Sequence, residues 1–294
     1  MELQKIIGLI DVISIPKDAK ITQLKNKEDG EPYQVWRIDI DDTKYILKEA
    51  KGIEKEIYQS ILSKIKEGVP TLYQTITINE KTYLLLEYIE GDDLCKCNRT
   101  KLKNTLDALI SIQQKTWDIR EINYFDYSFE KSHIQRQNRG KYLNDTLLEK
   151  AYEKFLNVYQ STPKTICHDD FLPFNVISNN EKAVLIDWEC SGILPYPTSF
   201  ARLIAHTEES ENALFYMTKS DMCYAIDYYY ENFLMEKGIS YDDWIHTLDY
   251  FLFYEYCEWV YVGNKYNVTD GKYFKKYLPI AKQQAHKILE IKDQ

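Results

Sequence analysis

The sequence predicts an α+β fold in two lobes, a small one built on an antiparallel sheet and a larger, mostly helical one. Three observations predict it. Runs of β-formers between residues 35 and 88 alternate, or form short apolar stretches, between polar turns. From Leu102 onward the apolar residues recur at helical spacing instead. The change falls near Gly91 without an internal repeat or a low-complexity linker, so the chain divides into residues 1–90 and 91–294 as two lobes of one protein. At 294 residues, core size sets no limit on such an arrangement.

In the first lobe, Val35 to Ile40 alternates as a strand, Asp41-Asp42-Thr43 turns the chain, and Lys44 to Lys48 returns as a second strand. This hairpin ends on a lysine. Ile53, Ile57, Ile61, Leu62 and Ile65 then share a helical face, and Gly68 with Pro70 ends the helix. Glu54 and Glu56 lie in its first turns, where the positive end of a helix favours carboxylates. Residues 72–78 and 82–88 read as strands around Asn79-Glu80-Lys81. The second is nearly continuously apolar from Tyr83 to Ile89, as expected of a buried strand that leads into a connector at Glu90-Gly91.

In the second lobe, Leu102, Leu106, Leu109 and Ile110 open an amphipathic helix that runs to Trp117. Leu143, Leu147, Leu148, Ala151, Phe155 and Tyr159 mark another, stopped by Ser161-Thr162-Pro163. Between them, residues 118–140 are polar, aromatic and irregular. Residues 165–167 are β-like, and residues 176–178 and 183–186 form a hairpin around Asn179-Asn180. Beyond Trp188 the pattern is helical over 199–206, 220–235, 240–263 and 272–291, with Ser240 and Asp243 resembling a capping box.

Composition excludes several function classes. No apolar run approaches the roughly 20 residues of a membrane span, and the first residues lack the basic start and long apolar centre of a signal peptide. A cytoplasmic location and no membrane partner are the expectation. The six cysteines are scattered without a C-x-x-C pair, which argues against a disulfide framework; Cys95 and Cys97 read as ordinary loop thiols. A net charge of −9 argues against a nucleic-acid partner and is compatible with a cationic substrate. The Walker pattern G-x-x-x-x-G-K-[ST] is absent, which excludes a P-loop fold by motif.

The chemistry-bearing residues gather around the predicted hairpin. Residues 166–177 contain H-x-D-x-x-x-x-N as His168, Asp170 and Asn175, and Asp187-Trp188-Glu189 begins 12 residues after Asn175. Asp170 and Asn175 precede one strand and Asp187 follows the next, so the hairpin brings all three to one end. An isolated Asp in such a loop is usually a cap. In this order, with a hairpin lysine upstream, the set reads as an active site.

This order resembles the catalytic and metal-binding segments of kinases, and nearly the whole chain resembles the aminoglycoside phosphotransferase and choline kinase-like family, which has a protein-kinase-like fold. The family shows H-G-D-L-x-x-x-N and I-D-W/F-E/D. Here Asp169 replaces the glycine, Phe171 the leucine, and Ser199 the Asp of a later D-L-A segment, a capping position that serine can also fill. The resemblance implies an ATP-dependent phosphotransferase, with GTP as the alternative nucleotide, whose nucleotide-binding lobe is 1–90 and whose catalytic and substrate-binding lobe is 91–294. Asp170 would orient the acceptor hydroxyl and take its proton. Asn175 and Asp187 would supply hard oxygen ligands to Mg²⁺, and His168 would brace the loop. Lys48 would neutralise phosphate charge with Glu56 aligning it and Glu54 as the other candidate, and the backbone around Glu87, Tyr88 and Ile89 would receive adenine. The loop from Lys25 to Pro32 has a single glycine, so it would cover phosphates mainly with side chains.

Acceptor recognition would fall to the C-terminal helices, which carry Glu208, Glu209, Glu211, Tyr254, Glu255, Glu258, Trp259 and Tyr261. Glu255, Glu258 and Trp259 share a helical side, and a carboxylate beside an indole suits a cationic amine. With Asp169 and Glu189 they point to an aminated alcohol such as an aminoglycoside, hence an antibiotic-resistance role. Choline or another small alcohol is the second reading, and a catalytically silent binding protein the third. A protein kinase is disfavoured because no A-P-E-like segment follows Asp187. A monomer or a homodimer is compatible with all of these.

Overall fold

A computed structural model describes residues 2–25, 30–119 and 128–290. A short helix α1 (Glu2–Ile7) precedes five strands: β1 (Lys20–Lys25), β2 (Pro32–Ile40), β3 (Thr43–Glu49), β4 (Leu72–Ile78) and β5 (Lys81–Glu87). They form one antiparallel sheet in the order β1-β2-β3-β5-β4. The β2–β3 hairpin places Val35 opposite Lys48. β1 and α1 had no strong sequence signal, because both are short and largely polar.

The continuous apolar run of β5 is explained by cover on both faces. Tyr83 and Leu85 join Ile6, Trp36, Ile38 and Leu47 beneath α1. Leu84 and Leu86 point the other way, into the main core with Ile57, Tyr58 and Leu62. Those residues belong to a broken helix: α2 (Glu54–Ile57), one π turn over Tyr58–Leu62, and α3 (Ser63–Ile65), which ends on Lys66 in the left-handed region. Two glycines mark close approaches. Gly52 has φ +50°, and a Cβ there would lie 3.0 Å from the Glu189 carbonyl. At Gly91 a Cβ would lie 2.6 Å from the Ser178 carbonyl, so only glycine lets the connector pass the second-lobe sheet.

The helical part comprises α4 (Arg99–Lys115), α5 (Phe129–Gly140), α6 (Thr146–Ser161), α7 (Pro197–Ala205), α8 (Lys219–Tyr229), α9 (Tyr241–Lys265) and α10 (Lys272–Glu290). Two small sheets lie among them. β6 (Asp92–Asp93), β8 (Val176–Ser178) and β9 (Ala183–Leu185) form one, and β7 (Lys164–His168) pairs with β10 (Ser191–Pro195) in the other. α9 is the central helix: Trp244, Leu248, Phe251, Phe253, Cys257 and Val260 are all buried in the main core.

One expectation for this part is corrected. The irregular stretch at 118–140 contains α5, whose polar surface hides its helical period because its buried side is formed by Ser132 and Arg136. Its residues 120–127 lie outside the described part of the chain, as do residues 26–29 of the expected phosphate loop. The sequence assigned nothing to residues 191–195, which form strand β10 in antiparallel register with His168 to Lys164, and the helix expected from 199 follows as α7. Among the described residues, no helix is long and apolar enough to cross a membrane, and all six cysteines are free thiols.

α6 shows how local chemistry fixes an element that the site depends on. Asp145 caps it by accepting from the Leu147 and Leu148 amides at 3.1 and 3.2 Å, and it also meets Lys282 of α10 at 2.6 Å. Burial pushes the Asp145 carboxyl up, but Lys282 and the two amides outweigh it and hold it below its ordinary 3.8. A carboxyl lowered by folding stabilises the fold above its unfolded pKa and loses that contribution as pH falls through the folded value. Asp145→Ala is therefore expected to cost about 1 kcal/mol at neutral pH. In chemical denaturation, the gap between variant and parent should narrow as the pH is taken below about 4.

Candidate active site

Lys48, at the end of the β2–β3 hairpin, meets two carboxylates. Its Nζ lies 2.7 Å from Glu54 Oε1 and forms a second, shorter contact with Asp187 Oδ1. Burial opposes the Lys48 charge, but the two acids outweigh it and raise its pKa. Glu54 is fully buried, and that burial raises its own pKa against the pull of Lys48. The expectation that Glu56 aligns this lysine is corrected: the partner is Glu54. Glu54, Ile57 and Ile61 follow an i, i+3, i+7 pattern and share the buried face of α2 and the π turn, whereas adjacency of Glu56 to Ile57 in sequence turns it to a different side.

The loop between β7 and β8 carries His168, Asp169, Asp170 and Asn175. The Asn175 amide nitrogen donates to the Asp170 carbonyl at 2.7 Å and to its carboxylate at 3.3 Å. The Ile186 amide donates to the Asn175 carbonyl at 3.0 Å, which closes the hairpin and brings Asp187 to the same end. Asp187 itself has φ +65°, in the left-handed region, at the turn out of β9. The residues fit a Mg²⁺ site. With the Asn175 nitrogen committed to Asp170, its amide oxygen is the remaining donor, and the Asp187 carboxylate is 40% exposed. Two protein oxygens are few for a dedicated metal cage but suit an ion that keeps water and phosphate ligands.

His168 is fully buried and packed against Trp188 and Phe171, with centroid distances of 5.0 and 5.8 Å. Burial holds its pKa below the ordinary value, so the ring is neutral and Nε2 pairs with the Ile186 carbonyl at 2.8 Å. Its backbone amide donates to Ser199 Oγ at 2.9 Å. Ser199, the third residue of α7, thus ties the end of β7 to that helix; the N-cap position is Tyr196, which makes no side-chain cap.

Arginines hold the carboxylates of this loop, and sequence reasoning missed their role. Asp169 meets Arg136 of α5 at 2.6 Å; Arg136 is buried, with its guanidinium over Tyr159 and Tyr254 at 4.7 and 4.8 Å. Asp170 Oδ1 lies 3.0 Å from Arg202 of α7. Arg202 also binds Glu258 and, at 2.9 Å, Glu255, and Arg139 binds Glu258 at 2.7 Å. Burial pushes the Glu258 carboxyl up, but Arg202 and Arg139 outweigh it and lower its pKa.

Glu255 and Glu258 therefore do not stand ready for a cationic acceptor, as expected from sequence, because two arginines already hold them. Trp259 stacks on Tyr273 of α10 at 4.3 Å and serves packing between α9 and α10. Glu208 is likewise taken, by Lys276. At the connector, the Glu87 amide donates to the Thr71 carbonyl at 2.9 Å and the Glu87 carboxylate accepts from Thr71 Oγ1 at 2.9 Å, so Glu87 closes the sheet edge. Tyr88, 5.2 Å from Lys44 Nζ, and buried Ile89 continue the chain toward Gly91.

A cleft of about 650 Å³ opens beside the loop, a volume suited to a small molecule. Asp169, Glu189 and Gly52 line it together with Gln135, Asn138 and Arg139 of α5 and Tyr261 and Lys265 of α9.

Residues 34–219 match the phosphotransferase enzyme family (APH). An aminoglycoside phosphotransferase from Alicyclobacillus acidocaldarius shares the fold at a TM-score of 0.60, with 10% identity over 98% of this chain and 94% of that one. The amicoumacin kinase hAmiN, solved with AMP-PNP, Ca²⁺ and its ligand, superposes at 0.64, with 13% identity over 97% and 92%. A choline kinase from Cryptosporidium parvum superposes at 0.60, with 14% identity over 94% and 92%. Among curated proteins, DNA polymerase I of Borreliella burgdorferi is 26% identical over 178 residues, which are 60% of this chain but 17% of that protein, and so gives no functional argument. The antiparallel sheet lobe, the helical lobe and these neighbours agree on a two-lobe, kinase-like α+β fold. With a match over more than half its length, the chain belongs to the phosphotransferase enzyme family.

Proposed function

We propose that this protein transfers the γ-phosphate of Mg²⁺-bound ATP to a hydroxyl group of a small molecule. The observation that carries the proposal is the bridge from Lys48 to both Glu54 and Asp187, because it joins a phosphate-neutralising cation to a metal-binding carboxylate across the two lobes. Phosphoryl transfer asks little covalent chemistry of a protein; it asks for position and charge.

Lys48 neutralises phosphate oxygens, and Glu54 fixes where its ammonium points. Asn175 and Asp187 would hold Mg²⁺, which when bound offsets the charge of the phosphates. Asp170 accepts a hydrogen bond from the acceptor hydroxyl, aligns its oxygen for in-line attack and takes its proton. Arg202 holds the Asp170 carboxylate, and α9 keeps Arg202 in place through Glu255 and Glu258. Tyr88 and Ile89 lie where a nucleotide base would dock, with ATP favoured over GTP. ATP as donor and six free thiols fit a cytoplasmic enzyme.

Asp170→Asn is expected to lower acceptor-dependent turnover by about 10²-fold or more. Turnover near that of the parent would remove Asp170 from the role of base. Asp187→Asn keeps a residue that tolerates the left-handed backbone, so it isolates the charge. It should abolish Mg²⁺-dependent ATP use while the thermal melt stays within a few degrees. Glu54→Gln should lower kcat/KM for ATP by about tenfold, or about 1.4 kcal/mol of transition-state stabilisation, whereas Glu56→Gln should leave it within about twofold. Equal effects in a steady-state comparison would remove the distinction between the two glutamates. If calorimetry finds no Mg·ATP binding, the chain is a silent binding protein instead.

A further inference from the structure

The charges at the acceptor cleft point to a substrate class. Three of the acids expected to attract a polycation are already bound by arginine: Asp169 by Arg136, Glu255 by Arg202, and Glu258 by Arg202 and Arg139. These pairs are at least partly buried, so a soluble amine would have to displace a guanidinium already bound with good geometry.

Cations also line the cleft, although one of them, Arg139, is shared with Glu258. Arg139 and Lys265 both line it, and both flank Tyr261, whose ring centroid lies 5.7 Å from the Arg139 guanidinium and 5.1 Å from the Lys265 ammonium. Lys265 is exposed and binds the Tyr261 hydroxyl at 2.6 Å. Two cations of the cleft lining thus contact one aromatic ring. Gln135 and Asn138 of α5, and Tyr142 just beyond its end, also line the cleft. Their amides and hydroxyl match the alternating donors and acceptors of a polyol.

We propose that the acceptor is a polyhydroxylated molecule bearing an anionic group, a carboxylate or a phosphate, that docks between Arg139 and Lys265 while one of its hydroxyls reaches Asp170. This rests on the phosphotransferase reading above. In the transfer, the acceptor oxygen forms a bond to the γ-phosphorus as the bond from that phosphorus to the β–γ bridging oxygen breaks. ADP leaves, and the hydroxyl proton passes to Asp170.

The test measures ADP release from Mg·ATP with four matched probes: glucose, glucosamine, glucuronate and glucose 6-phosphate. At least one of the two anionic sugars should show kcat/KM about tenfold or more above glucose and further above glucosamine, and the advantage should shrink as salt is added. Which of the two leads tells a carboxylate site from a phosphate site. Lys265→Glu should remove about tenfold of that advantage and leave the affinity for Mg·AMP-PNP unchanged. A preference for glucosamine, an unaltered charge preference in Lys265→Glu, or no turnover and no binding of either anionic sugar by the AMP-PNP-loaded protein in ligand-observed NMR overturns the proposal. Failure of the phosphotransferase reading is visible separately, as loss of Mg·AMP-PNP binding in the parent protein.

Discussion

The rest of the structure depends on the Lys48 ammonium held between Glu54 and Asp187. Each of the three comes from a different element: the β2–β3 hairpin, α2, and the turn after β9. One charge therefore ties a strand of the sheet lobe to a helix and to the Asp187 carboxylate. Glu54 is fully buried. A buried carboxylate without a cation would cost several kcal/mol, so the helix can sit where it does only while Lys48 is present. The close approach of Gly52 to the Glu189 carbonyl brings the same segment to the cleft.

A second layer of charge stands behind the first. Arg136, Arg139 and Arg202 come from α5 and α7, and they bind acids from the catalytic loop and from α9. These contacts make the direction of Asp170 depend on helices remote in sequence. They also alter the character of the cleft surroundings, because carboxylates bound to arginine are less available to a ligand. Guanidinium suits this task because its planar fork can serve two carboxylates at once, as Arg202 does for Glu255 and Glu258.

Much of the fold was legible because the patterns were local. Runs of β-formers between polar turns gave β2, β3 and β4, a continuous apolar run gave β5, and helical patterns gave α4, α6, α9 and α10. The motif residues His168, Asp170, Asn175 and Asp187 were legible as a set because one short hairpin joins them. What escaped depended on partners far away. β10 is too short to announce itself and exists because β7 lies beside it. α5 has a buried side built from Ser132 and Arg136, which carries no apolar period to read. Glu54 and Glu56 stand two residues apart, and only the face that α2 turns toward the sheet separates them.

The sequence by itself determined the fold class, the phosphotransferase-type motif and the lysine hairpin, since these rest on residue type, order and short spacing. The tertiary structure decided which glutamate meets Lys48, that Ser199 receives the His168 amide, and that the acids of α9 are bound to arginines. The physical reason is that charge acts through space. A carboxylate in a sequence is only a possible charge, and what it can bind is settled by whichever cation the fold brings within about 3 Å of it.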